Sequence, residues 1–156
     1  MVRGFSLPEI VVVVSVIGLL TLIAFPLLSK ARARVDVSAA REAFSASHAL
    51  ARQVAGQYGR LCRLHLDPTG NRFWVTVGTS TVPGVQRFDT VRTVVKLSEQ
   101  FGGVRMESRP LTLCFDPRGL ATARGQCDLP NATVVFRQGR VVDTVTISRL
   151  GRLLRR

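Results

Sequence analysis

The sequence predicts an α+β protein in which a long N-terminal transmembrane helix packs on a small antiparallel β-sheet head. Two observations predict this fold class. An apolar run near the N-terminus is long enough to cross a bilayer, and helical periodicity continues beyond it to Tyr58. The remaining chain consists of short alternating segments separated by turn residues. The 156 residues suffice for one such helix and a head of about 100 residues.

The apolar segment spans residues 10–28, and Glu9 is the only charged residue between Arg3 and Lys30. About 20 apolar residues suffice to span a bilayer. A carboxylate in such a segment costs roughly 2.5 kcal/mol or more at the bilayer centre, so we expect Glu9 to have a partner. A secretory signal peptide would carry a small-residue cleavage site after its apolar region, and a simple anchor would explain neither Glu9 nor Pro8.

Residues 30–58 are predicted to continue the same helix as an amphipathic segment. Apolar side chains recur every three or four residues, which is typical of a helix with one buried face. The predicted buried stripe consists of Val35, Ala39, Ala43, Ala46, Leu50, Val54 and Tyr58. Gly56 and Gly59 weaken and then end the helix. We therefore expect one helix from about residue 7 to about residue 57, whose C-terminal half packs on the head.

The head is expected to occupy residues 59–156 as an antiparallel β structure. Two hairpins are predicted, one around Pro68-Thr69-Gly70-Asn71 and one around Gln138-Gly139. Their strands are residues 60–67 with 73–77, and residues 132–137 with 141–147. Further strands are predicted at residues 91–97 and 111–115, with a loop at 82–89 and a short extension at 148–152.

The net charge of +12 favours anionic partners such as nucleic acid, lipid headgroups or acidic proteins. A basic cluster, Lys30-Ala31-Arg32-Ala33-Arg34, directly follows the apolar run. Under the positive-inside rule this cluster favours the cytoplasm. Alternatively, it lies at the outer headgroups and binds phosphates.

No enzymatic motif is present, since neither a nucleophile elbow nor a phosphate-binding glycine loop occurs. We therefore assign no catalytic residue and expect no enzymatic activity, cofactor or small-molecule substrate. A metal site is not expected either, because there is no Cys-x-x-Cys and because His48 and His65 are isolated, structural residues. The acidic residues of the head are expected to cap turns; they are Asp67, Asp89, Glu99, Glu107, Asp116, Asp128 and Asp143.

The N-terminal motif Gly4-Phe5-Ser6-Leu7-Pro8-Glu9 resembles the class III signal of type IV pilins and type II secretion pseudopilins. The resemblance implies that a prepilin peptidase removes the leader, residues 1–4, by cutting after Gly4 and then methylates the amine of Phe5. The transmembrane part would be residues 5–29 of a single-pass protein in the bacterial inner membrane, with its head in the periplasm. In a filament, Glu9 would neutralise the amine of a neighbouring subunit and so set the register between subunits.

The head is similar to the GspH/FimT domain. The motifs that carry this resemblance are Phe115-Asp116-Pro117-Arg118-Gly119, the strands around Gln138-Gly139-Arg140, and the closing Leu150-Gly151-Arg152. Because such a head lies in an oxidising compartment, we expect a disulfide between Cys114 and Cys127. Cys62 is expected to be a buried free thiol, although pairing of Cys62 with Cys114 stays open.

Two functions follow from the resemblance. The first is a minor pseudopilin or minor pilin, at or near the tip of a type II secretion pseudopilus or a type IV pilus, that serves protein secretion or pilus biogenesis with other pilin subunits as partners. The alternative is a FimT-like minor pilin that binds DNA during natural transformation through its arginine-rich tail. The tail residues are Arg149, Arg152, Arg155 and Arg156. A free, solvated basic tail is the simpler interpretation of these arginines.

Overall fold

The structure is a computed structural model that describes residues 7–80, 87–123 and 126–155. One helix, α1, spans Leu7–Tyr58 and continues through Pro26. Its C-terminal half packs on a head of short antiparallel strands, so the predicted α+β fold class is confirmed. The first elements of the head are β1 Cys62–Asp67, β2 Arg72–Gly78, β3 Phe88–Thr90, β4 Val95–Lys96 and the one-turn helix α2 Leu97–Gln100.

The remaining strands complete the head. They are β5 Arg105–Glu107, β6 Leu111–Phe115, β7 Ala121–Thr122, β8 Ala132–Gln138, β9 Val141–Ile147 and β10 Leu153–Arg155. The described strands form two antiparallel sheets. The first has the order β3-β2-β1-β6-β7 with β4 also paired to β2, and the second has the order β10-β9-β8-β5. Both predicted hairpins are present, as β1 with β2 and β8 with β9.

The core lies between α1 and the inner faces of both sheets. Phe44 of α1 is its centre, with ring centroids 5.6 Å from Phe73 of β2 and 5.7 Å from Phe136 of β8. One helix side chain therefore joins the two sheets. Burying an aromatic ring of this kind contributes about 1.5–3 kcal/mol through the hydrophobic effect.

The predicted buried stripe of α1 was only partly right: Val54 is buried and Ala43 and Leu50 pack against the core, but the centre of the buried face lies elsewhere. The buried residues are Val37, Ala40, Arg41, Phe44, Ser47, His48, Ala51, Val54 and Ala55. Val35 and Tyr58, which were expected to be buried, are exposed. The true stripe contains two charged or titratable side chains and a serine, so an apolar-only pattern could not select it. Alanines are spread around the helix and support several stripes equally well.

The strand predicted at residues 91–97 was also wrong. Two short strands, β3 and β4, pair with successive parts of β2, through Thr76 with Thr90 and through Phe73 with Val95. Between these two pairs β2 advances by three residues, whereas the segment that carries β3 and β4 advances by five. That segment therefore bulges, and its hydrogen-bond ladder with β2 is interrupted. The backbone N–H of Leu97 then donates to the carbonyl of Asn71 as α2 begins.

The C-terminal segment is a β-hairpin and not a free extension. The N–H of Gly151 donates to the carbonyl of Ser148, and the N–H of Arg152 donates to Ser148 Oγ. These bonds close a turn, after which β10 pairs with β9 through Leu153 and Ile147. Arg149 and Leu150 are the central residues of that turn, so the arginine-rich segment is held in a fixed conformation through Arg155.

Candidate functional site

The N-terminal half of α1 is apolar and wholly exposed. The described residues contain one helix long and apolar enough to cross a membrane, and none of its apolar stretch is buried. Glu9 lies in the first turn of this helix with its side chain exposed. Gly4 and Phe5, the predicted cleavage and methylation positions, lie outside the described residues. An apolar surface of this size needs a cover, which lipid or other apolar helices can supply.

A basic collar separates this apolar half from the head. Lys30, Arg32 and Arg34 are exposed, and none of them forms an ion pair within the described residues. The collar follows the apolar stretch within one helical turn. Its charges therefore lie at the level where an apolar segment crossing a bilayer would reach the headgroups.

An ion pair joins the helix to the second sheet. Arg41 Nη1 lies 3.2 Å from Asp143 Oδ2, and Arg41 Nη2 lies 2.6 Å from Glu42 Oε1. The Arg41 side chain is 10% exposed, so removal of Asp143 would leave a largely buried cation with one fewer partner. Arg41 is not among the residues of the predicted buried stripe, and Asp143 was expected to cap a turn. Neither residue carries a local signal for a contact that spans about a hundred positions.

Five of the other acidic residues of the head fall into two groups, and Asp89 lies within β3. Three accept hydrogen bonds from backbone N–H groups: Asp67 from Gly70 and Asp116 from Arg118 and Leu120, as predicted for turn caps, and Asp128 from Thr112, sixteen positions away, so that Asp128 does not cap a turn. The Gly70 hydrogen bond and then Arg72 lower the pKa of Asp67. Two others form exposed side-chain ion pairs, Glu99 with Lys96 and Glu107 with Arg137. These contacts are structural.

His48 and Arg52 lie one turn apart on α1 and contact two loops of the head. The imidazole of His48 lies next to the backbone of Gly151, and Arg52 Nε donates to the carbonyl of Gly119 at 2.9 Å. Burial lowers the pKa of His48 to about 4, against the opposing effect of the Gly151 backbone, and the charge of Arg52 lowers it further. His48 is therefore neutral at ordinary pH.

Gly151 is required by both conformation and space. Its φ is +72°, in the left-handed region, and a Cβ atom at this position would overlap with Cβ of Ala121 in β7. This close approach brings the C-terminal hairpin onto the β6–β7 turn. The Gly151-Arg152 pair that closes the predicted domain thus has a physical reason, since only glycine allows Arg152 to follow at this place.

The C-terminal arginines are only partly described. Arg149 and Arg152 are exposed and form no ion pair within the described residues. Arg155 lies in β10, and Arg156 lies outside the described residues. The two exposed arginines are therefore available to an external anion.

Two of the three cysteines, Cys62 and Cys114, lie on adjacent strands, and Cys127 lies in the loop before β8. Cys114 of β6 forms a disulfide with Cys127, their Cα atoms being 5.6 Å apart, and this bond fixes the loop after β7 to the first sheet. Cys62 is a buried free thiol, and burial raises its pKa to about 11. Cys62 pairs with Phe115 in the ladder and its side chain lies in the core. A thiol of this kind is unreactive.

The outer face of the first sheet carries an aromatic and basic cluster that the sequence analysis did not identify. His65 and Trp74 are cross-strand partners with stacked rings, 5.0 Å between centroids. Arg63 lies over the ring of Phe88 at 3.8 Å. Burial, followed by the charge of Arg63, lowers the pKa of His65. A period-two pattern alone places these residues on one face, but it does not pair them across strands.

No group of three or more potential metal ligands occurs in the part of the chain that the structure describes. No protein-family model matches the sequence, and no curated protein matches it. A solved structure, the type IV minor pilin FimU of Pseudomonas aeruginosa PAO1, is similar with a TM-score of 0.55 and 17% sequence identity. The similarity covers 79% of this chain and 90% of that one. The chain therefore has a type IV pilin-like fold.

Proposed function

We propose that this chain is a minor pilin or minor pseudopilin of the GspH/FimT type, a subunit of a bacterial type IV pilus or type II secretion pseudopilus. The fold similarity to a structure described as a type IV minor pilin supports this assignment. Its role is structural: the subunit enters the filament at or near the tip and serves pilus biogenesis or protein secretion.

The observation that carries the proposal is the contrast along α1. The stretch from residue 7 to residue 28 is entirely exposed, whereas the buried face of the same helix begins at Val37. A membrane covers the first part before assembly, in a single pass through the inner membrane with the head in the periplasm. Helices of neighbouring subunits cover it afterwards. One apolar surface thus serves two environments in turn.

Glu9 sets the axial alignment of this helix relative to the helices of neighbouring subunits. After the prepilin peptidase cuts between Gly4 and Phe5, the new amine of Phe5 is a cation at the edge of an apolar helix. A carboxylate in the same region is costly unless it is paired. Pairing of Glu9 with the amine of the adjacent subunit neutralises both charges, and it is possible at only one axial offset between the two helices. The pair therefore specifies alignment more than it adds stability.

Mass spectrometry of the mature protein tests the assignment directly. We expect a protein that lacks Met1 to Gly4 and carries one methyl group on the amine of Phe5. Retention of Met1 in cells whose prepilin peptidase is active would contradict the proposal. The intact mass reads cleavage and methylation together, so one measurement decides both.

Glu9→Ala tests the register. We expect normal cleavage and an incorporation into sheared filaments that falls by about tenfold or more, since an unpaired amine in an apolar interface costs several kcal/mol. Glu99→Ala is the matched control, because Glu99 is an exposed acid of the head. Equal incorporation of the Glu9 and Glu99 variants would rule out the register role.

The second candidate function is DNA binding through Arg149, Arg152, Arg155 and Arg156. The exposure of Arg149 and Arg152 on a fixed hairpin favours it. Arginines that contact phosphates make binding fall steeply with salt. We expect Arg152→Ala with Arg155→Ala to reduce the salt slope of duplex binding by about two, measured by gel shift with the detergent-solubilised chain. Arg105→Ala with Arg140→Ala is the control, and equal slopes for both double variants would exclude this function.

A further inference from the structure

One end of the head combines exposed leucines with exposed arginines. Leu129 and Leu150 are each 70% exposed and Leu120 is 50% exposed. Arg118, Arg149 and Arg152 are exposed beside them in sequence. We call these six residues the distal surface. Three large apolar side chains exposed at one end of the head, next to clefts and arginines, indicate a contact surface.

The distal surface lies at the end of the head remote from the apolar half of α1. Gly151 contacts His48 and Gly119 contacts Arg52, whereas the opposite end of the β8–β9 hairpin reaches Asp36 through Gln138. At 1.5 Å per residue, the sixteen positions from Asp36 to Arg52 span about 24 Å of helix. In a pilin-type subunit the distal surface therefore faces outwards along the filament axis.

The distal surface contains two clefts. A cleft of about 350 Å³ lies between Arg149 and the segment from Leu129 to Asn131. A second cleft, of about 570 Å³, is lined by Leu61, Leu120 and the Asp116–Arg118 turn. The approach of Gly151 to Ala121 holds the two parts together. Clefts beside exposed leucines are the places where a partner inserts apolar anchors.

The charge of the distal surface is uncompensated at its arginines. Arg118, Arg149 and Arg152 form no ion pair in the described ranges. The carboxylates of the two nearby acids are bound by backbone N–H groups, Asp116 within its own turn and Asp128 by that of Thr112, and neither forms an ion pair with these arginines in the described residues. A partner that presents carboxylates would complement these arginines and gain specificity and association rate.

The leucines argue for protein and against nucleic acid as the occupant. Nucleic-acid surfaces are read by cations and by aromatic stacking, and no aromatic residue belongs to the distal surface. Exposed leucines next to arginines are instead the composition of a protein–protein interface, in which a partner desolvates the leucines and complements the arginines.

A second copy of this chain is a poor occupant. The end of the head that would meet the distal surface of a copy below it is also basic, with exposed Arg105 and Arg140 and with the collar Lys30, Arg32 and Arg34 beneath. Stacking two copies would place arginine against arginine, and like charges across an interface cost several kcal/mol. The same charges allow the chain to enter a filament beside a different subunit.

We propose that the distal surface docks the head of a different subunit, one that inserts apolar side chains at Leu129 and Leu150 and surrounds them with carboxylates facing Arg149 and Arg152. The proposal rests on the filament function above and adds the location and chemistry of the contact. On this proposal a subunit that repels itself along the filament axis would not form a homopolymer.

Photo-crosslinking in cells that natively carry the full chain tests the proposal. p-Benzoylphenylalanine replaces Leu120, Leu129 or Leu150 in turn, and Leu154 serves as the matched control because it is 52% exposed on β10. We expect one discrete adduct from the three distal positions and at least about tenfold less from position 154. Peptide sequencing of the adduct is expected to give a different pilin-like chain whose crosslinked segment carries Asp or Glu beside apolar residues.

Several results would overturn the proposal: a nuclease-sensitive adduct, an adduct of this chain with itself, a partner segment without acids, or distal yields no higher than that at position 154. Arg149→Glu with Arg152→Glu is a second arm, expected to lower the adduct yield at Leu129 by about tenfold, and an unchanged yield would also count against it. Cleavage and filament incorporation are measured in the same cells. If both occur without the distal adduct, only this inference fails; if neither occurs, the filament function fails with it.

Discussion

The two halves of α1 belong to one continuous helix but have opposite surroundings. The N-terminal half is exposed on every side and apolar on every side, whereas the C-terminal half buries a face that includes Arg41, Ser47 and His48. Within the described residues the apolar half is not covered by the head, whereas the buried face of the second half packs against both sheets. The difference shows that burial in this protein follows from what the head offers and not from hydropathy alone.

The largest expected effect is the difference between substitutions of two phenylalanines of α1, one in each half of the helix. Phe44 is 0% exposed and Phe25 is 73% exposed. Phe44→Ala leaves a cavity between the two sheets and is expected to destabilise the head by about 3–5 kcal/mol. Phe25→Ala is expected to change it by less than about 0.5 kcal/mol. Urea unfolding in detergent, followed by Trp74 fluorescence, measures both, because the only tryptophan lies in the head.

Equal losses of stability in the two variants would mean that the apolar half also packs on the head. The comparison between the halves would then be wrong. A loss in Phe44→Ala alone supports separate roles, since Phe25 would contribute only to contacts outside the chain. Filament incorporation of Phe25→Ala then measures that external role without interference from unfolding.

The same contrast explains how much the sequence could predict. The apolar half is identified by composition, which is a local property, and both long hairpins are identified by alternation around Pro68-Thr69-Gly70-Asn71 and Gln138-Gly139. The buried stripe of α1 could not be identified in this way. Which face of α1 is buried depends on Phe73 and Phe136, which approach Phe44 from strands distant in sequence.

Long-range contacts also determine the structure around the Gly151-Arg152 pair. The Gly151-Arg152 pair was recognised as a motif, but its reason lies in Ala121 and His48, which no sequence pattern links to it. The C-terminal segment from residue 148 was predicted as a short extension. Pairing with β9 orders it all the same, since the existing hairpin offers an open edge.

The second expected effect concerns the contact that attaches the C-terminal hairpin to the head. Gly151→Ala combines a left-handed backbone with an overlap at Ala121. The expected loss is about 2–4 kcal/mol, from backbone strain and overpacking together. Gly139→Ala is the control, because Gly139 has φ +59° but open space around its Cα. Its expected loss is about 1 kcal/mol, measured by the same urea unfolding.

If the two glycine variants lose the same stability, the Ala121 contact contributes nothing and the hairpin is held by β9 alone. A larger loss in Gly151→Ala would instead show that the helix, the β6–β7 turn and the hairpin form one packed unit. The distal surface is built on that unit, so its rigidity depends on the same result.

The smallest expected effect is a pH dependence of stability that arises from the buried imidazole of His48 in the C-terminal half of α1. The folded-state pKa of His48 is about 4, below its usual 6.5, because burial disfavours the charged form. Above pH 6.5 both folded and unfolded chains are neutral at this position, and stability is complete. As the pH falls towards 4, His48 becomes protonated in the unfolded chain but stays neutral in the folded chain, so the free energy of unfolding decreases.

Between pH 7 and pH 5 the loss from His48 is expected to be about 2 kcal/mol, by urea unfolding at each pH. His48→Gln removes this contribution while retaining a hydrogen-bond donor beside Gly151. His65, whose pKa burial also lowers, leaves a residual slope of the same sign. An unchanged slope in His48→Gln would mean that the imidazole is solvated in the folded protein. The helix face would then be open at His48, and the C-terminal hairpin would not be closed against α1 as the Gly151 contact requires.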